Sequence, residues 1–361
     1  MAETFKQPWL GVVGAIITIG LALVFSVQFA QSTFVGWVGE VIMCSIPFQI
    51  VAIAVWQGNY PGFLARLGQP AKGVAIVALM AVASAVVTPG ILMAVGGSVS
   101  PPTPFATMFT VLSVCTPFWV MPLFQCWPVS ALTKHPAGLG LGLLALSYLS
   151  AWAIWQLGFD FSAMRNAPFY SASLDPQGAF PAWDIITFMV TASFVIVSVM
   201  MFDFWPLTVA VERFPMLGRQ PMRTVFSATL VLALSAAIWS GFVLGLRMDP
   251  VDYMVRVPVS CLFGQLLMLH MMQTAPFQAA AQPAKGLALM AVVVVLAAPM
   301  YWLYALVALA LVGPMASGAP GYVLDIWIAT AMLAVTFPMF VTVGEAFRFW
   351  PLLRSAASPE G

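Results

Sequence analysis

Ten long apolar runs dominate the chain, near residues 9–30, 36–57, 73–95, 104–126, 138–157, 183–205, 223–245, 253–274, 284–312 and 325–348. Each matches the roughly 20 residues that a helix needs to cross the hydrocarbon of a bilayer. Together they use more than half of the 361 residues, leaving short loops and no room for a second, soluble domain. The runs are continuous rather than alternating over about ten residues, which speaks against a transmembrane β-barrel. Only 7% of residues are Asp, Glu, Lys or Arg, against about 25% in a soluble domain. Such a chain cannot cover its own surface in water. A soluble enzyme, a disordered protein and a nucleic-acid binder with a basic face are excluded with it. The sequence predicts an all-α polytopic membrane protein with a single transmembrane domain over residues 1–361. The first span follows one Lys and no cleavage-site pattern, so it is read as retained rather than as a removed signal peptide.

Charge sets the expected orientation. The connections on the N-terminal side carry Lys6, Arg66, Lys72, Lys134, Arg213, Arg219, Arg223, Lys285, Arg348 and Arg354, ten of the thirteen basic residues. The opposite connections carry Arg165, Arg247 and Arg256 against Glu40, Asp160, Asp175, Asp184, Asp249, Asp252 and Asp325. Basic loops stay on the cytoplasmic side. Both termini are therefore expected in the cytoplasm of a cell with an inner (plasma) membrane, which requires an even number of spans.

The ends of the even-numbered spans look alike. They read NYPGFLARLGQPAKG (59–73), CWPVSALTKHPAGLG (126–140), FWPLTVAVERFPMLG (204–218), APFQAAAQPAKG (275–286) and FWPLLRSAASPEG (349–361). The pattern is an aromatic (Ala in the fourth copy), a Pro, six to eight residues and a second Pro. The first prolines, at 61, 128, 206, 276 and 351, are 67, 78, 70 and 75 residues apart. In the last four copies a polar residue precedes the aromatic position by two: Gln125, Asp203, Gln273 and Arg348. The Pro stops the helix and the aromatic ring anchors at headgroup level. One period is two spans, so each copy inserts the same way up, and the units are related by an axis along the membrane normal. The expectation is five parallel two-helix repeats, approximately 1–72, 73–137, 138–222, 223–284 and 285–361.

Pro47, Pro117, Pro258 and Pro338 lie inside even spans, often next to Ser, Thr or Phe, while the sixth span has none. An intramembrane Pro frees a carbonyl and kinks its helix. Small residues fall in odd spans instead: Gly11 and Gly14, Gly138, Gly140 and Gly142, Gly241 and Gly245. The even helices are thus expected to be bent and the odd ones close-packed. The longest connection, 158–184, is rich in aromatic, Pro, Ser and Asp residues and is a candidate cap for an outer vestibule or a contact for a partner.

Residues for chemistry are scarce. There are two histidines, His135 in an elbow and His270 in the eighth span, which gives no basis for a haem, multi-copper or di-iron centre. The 22 methionines are scattered, and Cys44, Cys115, Cys126 and Cys261 form no C-x-x-C pair, so both sets read as packing residues. No G-x-S-x-G, P-loop or paired-Asp motif is present, and the four lysines all fall in loops. The expectation is no enzyme and no cofactor or metal. Ionisable residues at membrane depth are functional hypotheses by default. They are Glu40, Asp203, Arg256, His270 and Glu345. With Gln125 and the prolines Pro47, Pro117, Pro258 and Pro338 they make up the candidate transport path. No chain of ionisable groups crosses the midplane, which argues against a proton-driven pump.

At the level of architecture alone, five parallel hairpins in ten spans look like the tellurite-resistance/dicarboxylate and plant slow-anion-channel group. The resemblance implies five hairpins around a central pore lined by odd helices, and it covers helix number and order, no residues. The functional expectation is a channel or facilitator-type transporter for a small solute, its path between the kinked even helices. The alternative is a non-catalytic membrane subunit or scaffold that recruits partners through its aromatic–proline elbows. The lipid bilayer is the expected partner, with no nucleic acid; a homo-oligomer or membrane-protein partner stays open.

Overall fold

A computed structural model describes residues 6–353. Arg354 and Pro359 of the last elbow lie outside the described residues. Among these residues ten helices are long and apolar enough to cross a membrane, so the chain is an all-α, multi-pass membrane protein. They are α1 (Trp9–Ser26), α2 (Gln31–Val55), α3 (Ala71–Ala94), α4 (Pro104–Leu123), α5 (Pro136–Gly158), α6 (Ala182–Met201), α7 (Met222–Gly245), α8 (Pro250–Met271), α9 (Ala284–Val312) and α10 (Val323–Ala346). Each falls on one of the ten apolar runs. A two-residue parallel pairing of β1 (Phe159–Asp160) with β2 (Phe180–Pro181) closes the long connection between α5 and α6.

Odd and even helices differ in what they bury. Between 56% and 78% of each even helix's apolar stretch is buried, against 11% to 44% for the odd ones. An odd helix buries one stripe at three- and four-residue spacing. In α3 it is Gly73, Ile76, Met80, Ser84, Thr88 and Ile91, and in α9 Gly286, Leu289, Val293, Ala297, Tyr301 and Tyr304. That is a single helical face, and the remaining surface is apolar and open to lipid. The even helices touch one another in the order α2, α4, α6, α8, α10 and back to α2. The odd helices sit outside them: α3 against α2 and α10, α5 against α4 and α2, α7 against α6 and α4, α9 against α8 and α6, and α1 against α10 and α8.

Four of the even helices, those with an internal Pro, depart from regular α-helical geometry. In α2, α4, α8 and α10 the helix widens into π-helical turns, including Trp119–Leu123, Val255–Val259 and Thr330–Thr336, while α6, which has no Pro, stays α-helical. A displaced carbonyl must find another donor. Thr116 supplies one, donating at 3.2 Å to Ser113 O, the carbonyl that Pro117 leaves free, and other hydroxyls near the prolines bond within their own helix: Ser45 to Ile42 O at 2.7 Å, Ser260 to Val255 O at 2.8 Å and Thr336 to Ala331 O at 2.7 Å. The Ser and Thr beside these prolines thus have a structural task. Pro89 and Pro299, inside α3 and α9, bring no such widening, since both helices remain α-helical through them.

Each even helix ends the same way. The last turn gives two successive residues with positive φ: Gln57 and Gly58, Gln125 and Cys126, Asp203 and Phe204, Gln273 and Thr274, Arg348 and Phe349. The second N–H of each pair reaches back to the helix, as in Gly58 to Ala52 O and Cys126 to Val120 O, both at 2.9 Å. This satisfies carbonyls left free at a helix C-terminus. The chain then passes through short helical segments, such as Gly62–Arg66 and Leu207–Arg213, to the next odd helix. Four odd helices begin at a Gln-Pro pair whose amide docks on an even helix end: Gln7 on Met271 O, Gln69 on Ala346 O, Gln220 on Phe124 O and Gln282 on Met201 O.

The glycines of the odd helices serve the same junction. A Cβ on Gly73 would come within 2.5 Å of the Phe347 ring, on Gly140 within 2.4 Å of Trp56, on Gly286 within 2.3 Å of Phe202 and on Gly11 within 2.4 Å of Met271 O. Trp56, Phe202 and Phe347 each directly precede a left-handed pair. Gly241 differs from the sequence expectation of close packing: nothing lies within 4 Å of its missing Cβ. It opens a π-helical turn at the lipid-facing end of α7, and its residue is exposed.

Candidate functional site

A cavity of about 890 Å³ lies among the even helices, in the half of the molecule away from the N-terminal face. Every even helix supplies its wall and no odd helix does: Gly36 and Ile46 from α2, Val111 and Phe118 from α4, Ile186 and Val190 from α6, Leu262 and Leu266 from α8, Leu333 and Phe337 from α10. Ala163, Met164 and Asn166 to Phe169 of the long connection, with Pro320–Tyr322, cover the end away from the N-terminal face. That connection is held in shape by Asp175, whose carboxylate accepts from the N–H groups of Phe161 and Gln177 and from the Tyr170 hydroxyl. The Ser162 N–H and hydroxyl beside Asp160 hold that carboxyl below the usual carboxylate range. At the inner end Met43, Ile46, Leu266, Ala334, Phe337 and Val341 pack together into an apolar floor.

Two of the sequence candidates meet beneath this floor. His270 Nδ1 of α8 lies 3.3 Å from Glu345 Oε1 of α10, both partly exposed, and the His270 ring is 6.4 Å from the Phe337 ring of the floor. Gln49, which the sequence did not single out, lies at the same depth. It donates from α2 to Pro338 O at 2.9 Å and to Thr342 Oγ1 at 3.1 Å on α10. Gln265 makes the matching contact from α8, to Ser198 Oγ of α6 at 2.7 Å.

Glu40 is wholly buried between α2 and α4. Its Oε1 accepts from the Thr110 hydroxyl, the Cys44 thiol lies at 4.0 Å, and its Oε2 has no partner among the described residues. Thr107 of the cavity wall is also near this carboxyl. The other candidates lie elsewhere. Asp203 belongs to an elbow, where Gln282 donates to it at 2.8 Å and Lys285 at 2.9 Å. Gln125 is the exposed first residue of a left-handed pair. Arg256 pairs with Asp252 and lies over the Tyr301 ring of α9, outside the cavity wall. Pro47, Pro117, Pro258 and Pro338 are buried in the even helices. None of the ten candidates forms the cavity wall. The wall consists mostly of ordinary apolar residues, with no ionisable Asp, Glu, Lys, Arg or His, so a search for ionisable groups passes over it. The sequence signal that points to it is the set of even helices with Ser, Thr and Gln scattered round them.

Among the described residues no three His, Cys, Asp or Glu side chains come together to hold a metal, and the four cysteines are free. No protein-family model, curated protein or solved structure matches this chain. The likeness to the five-hairpin channel group stays one of helix number. It departs from that group in placement: the buried helices here are the even ones, where the group implies odd ones.

Proposed function

We propose that the chain is a channel or facilitator-type transporter for a small solute, its ten helices forming five parallel hairpin repeats around an axis along the membrane normal. The observation that carries this reading is the cavity walled by all five even helices and no odd one. A solute path between even helices needs such a wall. Three recurrences support the repeats: the constant relation of each odd helix to two even ones, the left-handed pair at every even helix end, and the docking of four Gln-Pro amides on those ends. The ten basic residues on the N-terminal side support an inner (plasma) membrane location with both termini cytoplasmic.

The test is flux through the purified chain in proteoliposomes, measured for anions, weak acids and neutral solutes. Saturable flux of one class is the expected result. No flux in any class, together with stable co-purification of a second protein, would return the chain to the scaffold reading. Pro117→Ala and Pro338→Ala should change the flux if bent even helices shape the path. Unchanged flux at normal stability removes that part of the reading.

A further inference from the structure

The cavity's chemistry narrows what it can hold. No Asp, Glu, Lys, Arg or His lines it. A charged solute resting there would lose its hydration without a compensating partner. The deep wall is apolar, and the Ser193 and Thr330 hydroxyls in it are turned to carbonyls of their own helices, Met189 O and Ile326 O. Met43, Met108, Met164 and Met254 are wall residues on separate segments. Methionine is unbranched and polarizable, so a wall of this kind adapts to a flexible chain. At about 30 Å³ per water-sized group, 890 Å³ has room for about 30 non-hydrogen atoms.

Polar groups gather at the outer end. Asn166, Trp183 and Tyr322 line the cavity there. Just beyond them the rim is acidic. Asp249, Asp252 and Asp325 cluster there beside Tyr322, with Arg256 as the cation among them. Arg256 is already paired with Asp252. Two of these carboxylates are fixed by the protein: Asp249 accepts from the Tyr322 hydroxyl at 2.7 Å, and Asp325 from Ser317 and the Gly318 N–H. They set a negative field at the mouth, which repels an anionic head.

We propose that the cavity takes a single-chain lipophile whose head is not negatively charged, seated tail inward with its head among Asn166, Trp183 and Tyr322. This rests on the reading of the cavity as the solute's place and adds the class of solute. Since bilayer lipid already solvates a tail, discrimination falls to the head and to the fit of the wall.

The experiment uses the full chain in lipid nanodiscs with radiolabelled hexadecanol, and empty nanodiscs as the blank. Saturable retention beyond the blank is expected. Hexadecyltrimethylammonium should compete, and palmitate should compete at least about tenfold less well. Ala334→Trp, which fills the floor of the wall, should weaken retention by about tenfold or more, while Gly241→Ala on the lipid face should leave it unchanged. The competition series on the unaltered chain decides the matter even if Ala334→Trp does not fold. No saturable retention, or palmitate competing as well as hexadecanol, overturns the proposal. Flux of a polar solute without retention overturns this proposal and spares the channel reading. Retention without any flux does the reverse.

Discussion

Thr110 donates its hydroxyl to the buried Glu40 carboxyl, whose other oxygen has no partner among the described residues. Removing that donor leaves a buried acceptor unsatisfied, which costs about 1–3 kcal/mol. Thr110→Val keeps the shape, so its thermal unfolding in micelles should show a loss of this order. Thr229→Val, whose exposed hydroxyl bonds only within its own helix, should stay near neutral. Asp203 responds to pH. Burial acts to raise its carboxyl, but Gln282 and Lys285 donate to it and prevail, holding it below the usual carboxylate range. A carboxylate lowered on folding stabilises at pH above its unfolded value, about 4, and loses that contribution as pH falls through the lower folded value. The acid limb of stability against pH should therefore shrink in Asp203→Asn. Its polar type and place were legible in the sequence, since it precedes the aromatic position by two, as Gln125, Gln273 and Arg348 do. Gln57 was not, because Asn59 lengthens the first elbow by one residue and shifts the match.

At the scale of elements, the joint between an odd helix's first turn and an even helix's end is the recurring contact. Its glycines are packing seats rather than flexible points. Gly73→Ala or Gly286→Ala would drive a methyl into the Phe347 or Phe202 ring. Overpacking of this kind costs about 1–3 kcal/mol. Gly241→Ala meets nothing and should gain a few tenths up to about 1 kcal/mol from helix propensity. Unfolding of the three variants side by side would expose a different origin for the joint if all moved alike. The sequence showed where helices lie because length and apolar continuity are local properties. It assigned small residues to odd helices correctly at Gly11 and Gly140, but it could not separate these from Gly241, since a glycine's neighbour comes from a helix far along the chain. The same limit applies to prolines. Pro89 and Pro338 look alike in sequence, yet only α10 widens into π-helical turns, with Thr336 and Tyr304 bonded at 2.6 Å beside the break.

Over the whole molecule, the region among the even helices runs from an apolar cavity through an apolar floor to a polar end on the side of the N-terminus. The cavity side has Asn166, Trp183 and Tyr322 at its mouth, and the inner end has Gln49, His270 and Glu345. The sequence singled out His270 and Glu345 of the polar end because they are ionisable; it expected a path between even helices but named none of the wall residues, because nothing distinguishes Leu262 or Leu333 from lipid-facing leucines. Between the two compartments stands the floor, with Phe337 of α10 meeting both the cavity wall and the His270 ring. If a solute passes through this region, the floor is where it is held back. Phe337→Ala should then raise flux several-fold in proteoliposomes, while losing about 3–5 kcal/mol of stability as a large buried ring is removed. Phe340→Ala provides the control. That ring is equally buried three residues on and packs against Phe263, outside the cavity wall, so its removal costs similar stability without opening a passage. Equal flux from the two variants would mean that the leak comes from loosened packing and that the floor gates nothing. A rise confined to Phe337→Ala ties permeation to one ring of the floor.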